Sequence, residues 1–373
     1  MLKGMTSLFP GRGLTEAQRR MYRLEKEENF RWIARILAKP APEPLHSSDL
    51  VDPVLQEEIS DIGQFAEIAH GTINPEFIWE HVSHLSEPDY PLRLYRALDG
   101  STLLDVFHGS VANLQGYIAY RSEAKQVIVA FSGTSAAAQA VKTVQFTLVQ
   151  HPSGGGCRVH SGFWSMYVGI RDVAMSSLQK ALKEHEVRDV VITGHSMGGV
   201  IGSFFCLDVL GESGTVSEDQ SLSLTGKVKL VIFGSPRFGN TAFSKHFQDA
   251  VDRHQVKEQS IRIYNDGVPQ MPPSLVGYRH VSRTPFYFAY GRLWRISPSQ
   301  IEYSLFKFDP QAIEDAVDSF PLGGHNYYNS RDMELLQRRI KWFHPITRGE
   351  LWETLKARFH QKLLEEQKTH GGG

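Results

Sequence analysis

The chain has 373 residues, of which 41% are hydrophobic and 22% charged, with a formal net charge of −1. That balance belongs to a globular protein with a sizeable core, and near-neutrality removes any global attraction to nucleic acid. Cys157 and Cys206 are its two cysteines and form no C-x-x-C pair. This excludes a thiolate zinc site and predicts reduced thiols in place of a disulfide framework.

Along the chain, the first expected element is a helix from Thr15 to Lys39, capped by Thr15 and stopped by Pro40 and Pro42. Its basic excess and its Trp32/Ile36 face suggest either a helix on a membrane surface or one packed on the rest of the protein. No apolar stretch follows the basic residues at the start, so no secretory leader is read there. No apolar run of about 18 residues exists to cross a bilayer. The Pro-rich "KPAPEPLHSSD" closes an N-terminal extension, residues 1–49. Next comes a helix with Leu55, Ile59, Ile62, Phe65, Ala66 and Ala69 at helical spacing. "LRLYRAL" reads as a strand, and residues 114–133 read as a hairpin around "RSEAK".

From there strands and helices alternate. A long helix covers "GFWSMYVGIRDVAMSSLQKALKEHE". Strand "DVVIT" precedes helix "GGVIGSFFCLDVL". Strand "KVKLVIF", a helix at Phe243–Val251 and strand "SIRIY" complete the pattern. This alternation predicts an α/β protein with a mostly parallel central sheet and helices on both faces. "RTPFYFAYGRLWRI" is an aromatic hairpin or edge pair, and a helix is expected from Arg331 to Trp342. The main domain is read as residues 50–345. Residues 346–373 form a C-terminal extension with a charged helix over Arg348–Lys368 and a Gly tail.

The chemistry concentrates in "VVITGHSMGG". Val190 to Thr193 form a buried strand, Gly194 permits a sharp turn, and Gly198 and Gly199 leave room for the following helix to cross. A serine in such a strand–turn–helix sits on a strained backbone at the sheet's carboxyl edge. The new helix aims its free N–H groups at the same spot. Ser196 is therefore the candidate nucleophile, and it needs a base. In "SIRIYNDGVPQMPP", Asp266 lies just past a strand's carboxyl end, where sites gather in parallel sheets. Five histidines follow: His280, His325, His344, His360 and His370. His325, in the Gly-paired loop "FPLGGHNYY", is the favoured base, and His280 is its rival. His160 reads as structural, Gly239-Asn240 as a turn into a helix, and Cys206 as a core thiol.

"VIVAFSGT", "VHSGFW", "TGHSMGG", "FGSPRFGN", "NDGVPQMPP" and "GGHNYY" follow one another between Asp61 and Arg339. In this order they resemble the class 3 lipases, especially the fungal α/β-hydrolase members. The resemblance implies an α/β-hydrolase fold with Ser196 as nucleophile, Asp266 as acid and His325 as base. It implies an oxyanion hole from the backbone N–H groups of Thr134 and Met197, with the Thr134 hydroxyl as a further donor. It implies a lipid ester substrate met at a lipid–water interface, and neither metal nor organic cofactor. Ser132 stands where the family commonly has Arg, and the lid region after Thr134 lacks its usual Asn-Trp pair. Phe131, Phe146, Leu148 and Trp164 hint at an acyl groove. Fungal members are secreted and disulfide-bonded, and this chain shows neither mark. An intracellular, cytoplasmic placement is expected instead, with peripheral contact to membranes or lipid droplets through the N-terminal helix. Two other readings stay open: a non-catalytic lipid-binding or signalling scaffold, and a short-chain or feruloyl-type esterase.

Overall fold

The computed structural model describes residues 29–70, 74–133, 146–215, 224–314, 323–343 and 352–371. The strands are β1 (Ser101–His108), β2 (Gln115–Arg121), β3 (Gln126–Phe131), β4 (Leu148–Gln150), β5 (Arg158–His160), β6 (Asp189–His195), β7 (Val228–Phe233), β8 (Lys257–Ile263), β9 (Pro285–Ala289) and β10 (Arg292–Arg295). The helices are α1 (Arg31–Leu37), α2 (Pro53–His70), α3 (Pro75–Glu80), α4 (Val82–Leu85), α5 (Ser161–Glu184), α6 (Met197–Val209), α7 (Thr241–Arg253), α8 (Met333–Ile340) and α9 (Trp352–Gly371).

Eight strands form one sheet in the order β1-β2-β3-β6-β7-β8-β9-β10. Strands β3, β6, β7, β8 and β9 run parallel, and antiparallel pairs close both edges. β4 and β5 form a separate small ribbon. Side chains alternate across the sheet, as a period of two requires. Val190, Ile192, Val127, Val129, Leu230 and Ile232 enter one core with α5, α6 and α7. Val191, Ile128, Ala130, Val231 and Phe233 enter the other, beneath α2, α8 and α9. Each fully buried aliphatic side chain contributes about 1.5–3 kcal/mol. A sheet apolar on both faces demands helices on both faces, and the architecture is that of an α/β-hydrolase.

Two sequence expectations change. "LRLYRAL" is a run of turns, not a strand. Leu92, Tyr95 and Leu98 are buried at intervals of three, a spacing that suits successive tight turns better than a pleat. The first strand is instead β1, which a register shift between Leu103 and Asp105 hides from simple alternation. Of the long N-terminal helix, residues 15–28 lie outside the described residues, and the described part is the short α1. The terminal helix runs from Trp352 to Gly371. Its Leu355 and Phe359 are fully buried in the second core, where Phe359 stacks on Phe343 with ring centroids 4.9 Å apart.

Candidate active site

The serine turn is fixed by sterics. β6 ends at His195, and Ser196 adopts φ 59°, ψ −127° before α6 begins at Met197. A non-glycine residue there is strained and persists only where its surroundings enforce it. They do so by close packing. A Cβ on Gly194 would stand 2.3 Å from the Gly198 carbonyl carbon, and one on Gly198 would stand 2.2 Å from the Phe131 carbonyl oxygen. The Ser196 N–H donates to the Phe233 carbonyl at 2.8 Å, tying the turn to β7. Ser196 is 2% exposed. Met197 is the first residue of α6 and fully buried, so its N–H is one of those a helix leaves without an internal partner. Thr134, its expected counterpart, and the lid segment up to residue 145 lie outside the described residues.

Asp266 follows β8 through a turn in which Asn265 has φ 61°. Its carboxylate is buried and fully engaged. Oδ1 accepts the Val268 N–H at 2.9 Å. Oδ2 accepts from His325 Nδ1 at 2.9 Å and from the Tyr328 hydroxyl at 2.6 Å. The bond at Nδ1 leaves His325 Nε2 as the free nitrogen, the tautomer in which a ring can receive a proton. Burial and the adjoining Asp266 charge hold the Tyr328 phenol well above its usual range, so it stays a donor. Gly234, at φ +58°, gives this group room: a Cβ there would stand 2.8 Å from the Tyr328 oxygen and 3.1 Å from Asp266 Oδ2.

The structure therefore brings Asp266 and His325 into direct contact, and the residue preceding Ser196 carries the His195 ring to 4.4 Å from that of His325. His280 is elsewhere. It lines a small cavity behind Asp266 with Arg237, Arg262 and Gln270. Burial, and then the two guanidinium groups, push its imidazole well below the usual range. His160 caps α5 by accepting the Phe163 N–H, and Asn240 caps α7 by accepting the Phe243 N–H. His360 is exposed on α9, and His344 lies outside the described residues.

Several contributors were not singled out in the sequence. Besides Tyr328, the site holds His195 and His70, whose Nδ1 atoms are 3.1 Å apart. α2 runs across the sheet and ends on His70, which delivers that ring to the turn. Burial, with the neighbouring His325, lowers the His70 imidazole to about 3. His195 is likewise pushed well below its usual range by burial and by His70. Both rings are therefore neutral at ordinary pH and add no positive charge beside His325. Gly133 permits this crowding, since a Cβ there would stand 2.5 Å from His70 Nδ1 and 2.6 Å from the His195 carbonyl oxygen. The loop after His325 is anchored on α2 by a buried bidentate pair, Arg331 Nε and Nη2 to the Glu67 carboxylate at 2.7 and 2.9 Å. The signal for Tyr328 was its place in "GGHNYY" and for His195 its place in "TGHSMGG"; nothing local marked His70.

The family model described as Lipase (class 3) matches residues 128–276. A secreted mono- and diacylglycerol lipase A of Penicillium cyclopium is 26% identical over 178 residues, covering 48% of this chain and 53% of that protein. The chain thus spans about half the length of the curated relatives it matches. The solved triacylglyceride lipase of Rhizomucor miehei superposes with a TM-score of 0.59 at 17% identity, covering 77% of this chain and 98% of that one. A triacylglycerol lipase whose catalytic centre is a serine protease triad gives a TM-score of 0.58, also at 17% identity, with coverage of 77% and 98%. At this identity the superpositions establish the fold. The secreted Penicillium relative overturns the expected intracellular, cytoplasmic placement. The thiols on which that expectation leaned, Cys157 and Cys206, are free and buried, so they report packing and not compartment.

Proposed function

We propose that the chain is a class 3 lipase, a serine ester hydrolase that cleaves acylglycerols through an acyl-enzyme, a reading supported by the class 3 lipase model that matches residues 128–276. The carrying observation is Ser196, held at φ 59° at the start of α6, together with His325 bonded through Nδ1 to a buried, fully engaged Asp266. In this reading His325 Nε2 removes the Ser196 proton as Oγ attacks the ester carbonyl carbon. The oxyanion is received by the Met197 N–H and, as the family resemblance implies, by that of Thr134. Asp266 stabilises the imidazolium, and Val268 and Tyr328 also donate to its carboxylate and hold it in place. The imidazolium then protonates the leaving alkoxide. Water, deprotonated by His325, attacks the acyl-enzyme and releases the fatty acid, and His325 returns that proton to Ser196 Oγ. Protein groups supply every proton transfer in this sequence.

The test is hydrolysis of p-nitrophenyl esters of graded chain length by wild type beside Ser196→Ala. The expected outcome is activity that rises with chain length and falls by at least ~10⁴-fold in the variant. Hydrolysis by Ser196→Ala at the wild-type rate would sink the mechanism. Activity confined to short chains would make the protein an esterase. Failure of wild type to react with a fluorophosphonate probe would favour a non-catalytic scaffold.

A contact with the lipid surface belongs to the same proposal. α1 buries Ile33 and Ala34 but leaves Trp32 47% and Ile36 71% exposed. Replacing both exposed residues with Ala is expected to weaken co-sedimentation with phospholipid vesicles, and unchanged co-sedimentation would remove this contact from the reading.

A further inference from the structure

We propose that the segment Asn29–Leu37 is a positioning clamp that seats the His325 loop and the Asp266 loop against one another. The clamp rests on the reading of Ser196, Asp266 and His325 as the reacting set. Its sequence lies outside residues 128–276, the stretch matched by the family model.

One residue fixes two consecutive amides of the base loop. The Asn29 carbonyl accepts the His325 N–H at 3.0 Å, and Asn29 Oδ1 accepts the Asn326 N–H at 3.1 Å. The approach is so close that only glycine fits at the neighbouring position. Gly324 has φ +111°, and a Cβ there would stand 2.4 Å from Asn29 Oδ1. The next residue touches the ring itself: Phe30 meets the His325 imidazole edge-on, with centroids 5.4 Å apart at 73°. Phe30 does so from a left-handed backbone, φ 56°, a conformation strained for a bulky residue that persists only where its surroundings enforce it.

The same few residues grip the acid loop. Phe30 and Ile33 bury against Val268, with Leu37 and Met271 packed alongside, in a cluster separate from both large cores. Gly267, directly after Asp266, makes the contact possible. A Cβ there would stand 2.4 Å from the Phe30 carbonyl oxygen and 2.5 Å from Ile33 Cβ. The segment thus touches the residue after the acid, the base's own amide and the base's ring. Its helix packs on the turn Val268–Gln270. Contacts with both loops at once, in a cluster separate from the large cores, suit a clamp better than general core filling. A small displacement of a positioned catalytic group costs up to ~10²-fold in rate.

The full chain is tested as wild type, Asn29→Ala, Phe30→Ala and the conservative Phe30→Leu, each checked for unchanged circular dichroism. With ¹⁵N-labelled histidine, wild type should show a far-downfield Nδ1 proton for His325 from its bond to Asp266, assigned by its loss in His325→Gln. Asn29→Ala and Phe30→Ala should broaden or erase that signal. They should also lower kcat and the fluorophosphonate labelling rate of Ser196 by roughly 10- to 100-fold, with KM changed less than twofold. Phe30→Leu keeps the apolar contact on Val268 and should restore most of the rate, and Asn29→Ala carries the test should Phe30→Ala fail to fold. Variants that keep both the downfield proton and wild-type labelling would overturn the clamp. If wild type neither labels nor hydrolyses esters, yet the proton signal still depends on Asn29 and Phe30, the clamp stands and the hydrolase reading falls.

Discussion

The serine turn and the histidine loop meet at one site but are held in different ways. The turn is made by its own sequence. A Cβ on Gly194 would meet backbone atoms of Gly198 and Gly199, one on Gly198 would meet those of Phe131 and Ser132, and no rotamer change relieves either. The histidine loop borrows its geometry from residues far away in the chain: Asn29, Glu67 and Asp266. A feature held by backbone sterics tolerates almost nothing and can be seen in a short motif. A feature held by distant side chains can be loosened stepwise and is nearly invisible locally.

The comparison can be broken first at the turn. Gly198→Ala places a methyl group 2.2 Å from the Phe131 carbonyl oxygen, backbone against backbone. The expected result is loss of the folded protein, read as absence of a cooperative thermal transition; a Tm within a few degrees of wild type would show that the turn can relax. Next comes the loop anchor. Arg331→Met strands the buried Glu67 carboxylate and should cost about 3–5 kcal/mol in urea unfolding, whereas adding Glu67→Leu should recover much of it. Two equal losses would mean that packing, and not the ion pair, anchors the loop.

Acid tests the neutral histidines. Burial holds His70 at about 3 when folded, against 6.5 for the ordinary side chain. Between those values the unfolded chain takes up a proton that the folded protein refuses, so stability is lost as pH falls below about 6.5. One such group contributes up to about 1.4 kcal/mol per pH unit in that window. His151 and His160, held to about 4 mainly by burial, act in the same direction. A folded His70→Gln variant should show a shallower decline of stability with acidification, and an identical slope would remove His70 from the account. The smallest effect is expected at Tyr328→Phe, which deletes one of three donors to Asp266. A charge-assisted bond of this kind predicts a loss of about 1.5 kcal/mol, roughly tenfold in kcat. A wild-type rate would mean that Val268 and His325 suffice to orient the acid.

This contrast explains what could be read in advance. Ser196 was legible because strand, turn and helix follow one another within a dozen residues. Asp266 was legible because a Gly-Pro turn stands just beyond an apolar strand. His325 emerged as the favoured base, with His280 in competition, since glycine pairing shows where a loop turns but not where its ring lands. His70 and Asn29 carry no local pattern at all, and their places beside His325 arise only when α2 and the N-terminal segment fold back over the sheet. "LRLYRAL" misled because its opening Leu-Arg-Leu alternation imitates a pleat, whereas burial recurs every third residue, at Leu92, Tyr95 and Leu98.

Asn29 and His325 are joined by a hydrogen bond that spans most of the chain. On the proposed mechanism, a ribosome that has reached residue 300 has already made Ser196 and Asp266 but not His325, the base that would activate the serine. The clamp waits on the same late segment. On that reading, reactivity toward esters arises only once residue 325 has been made and its loop has folded against Asn29.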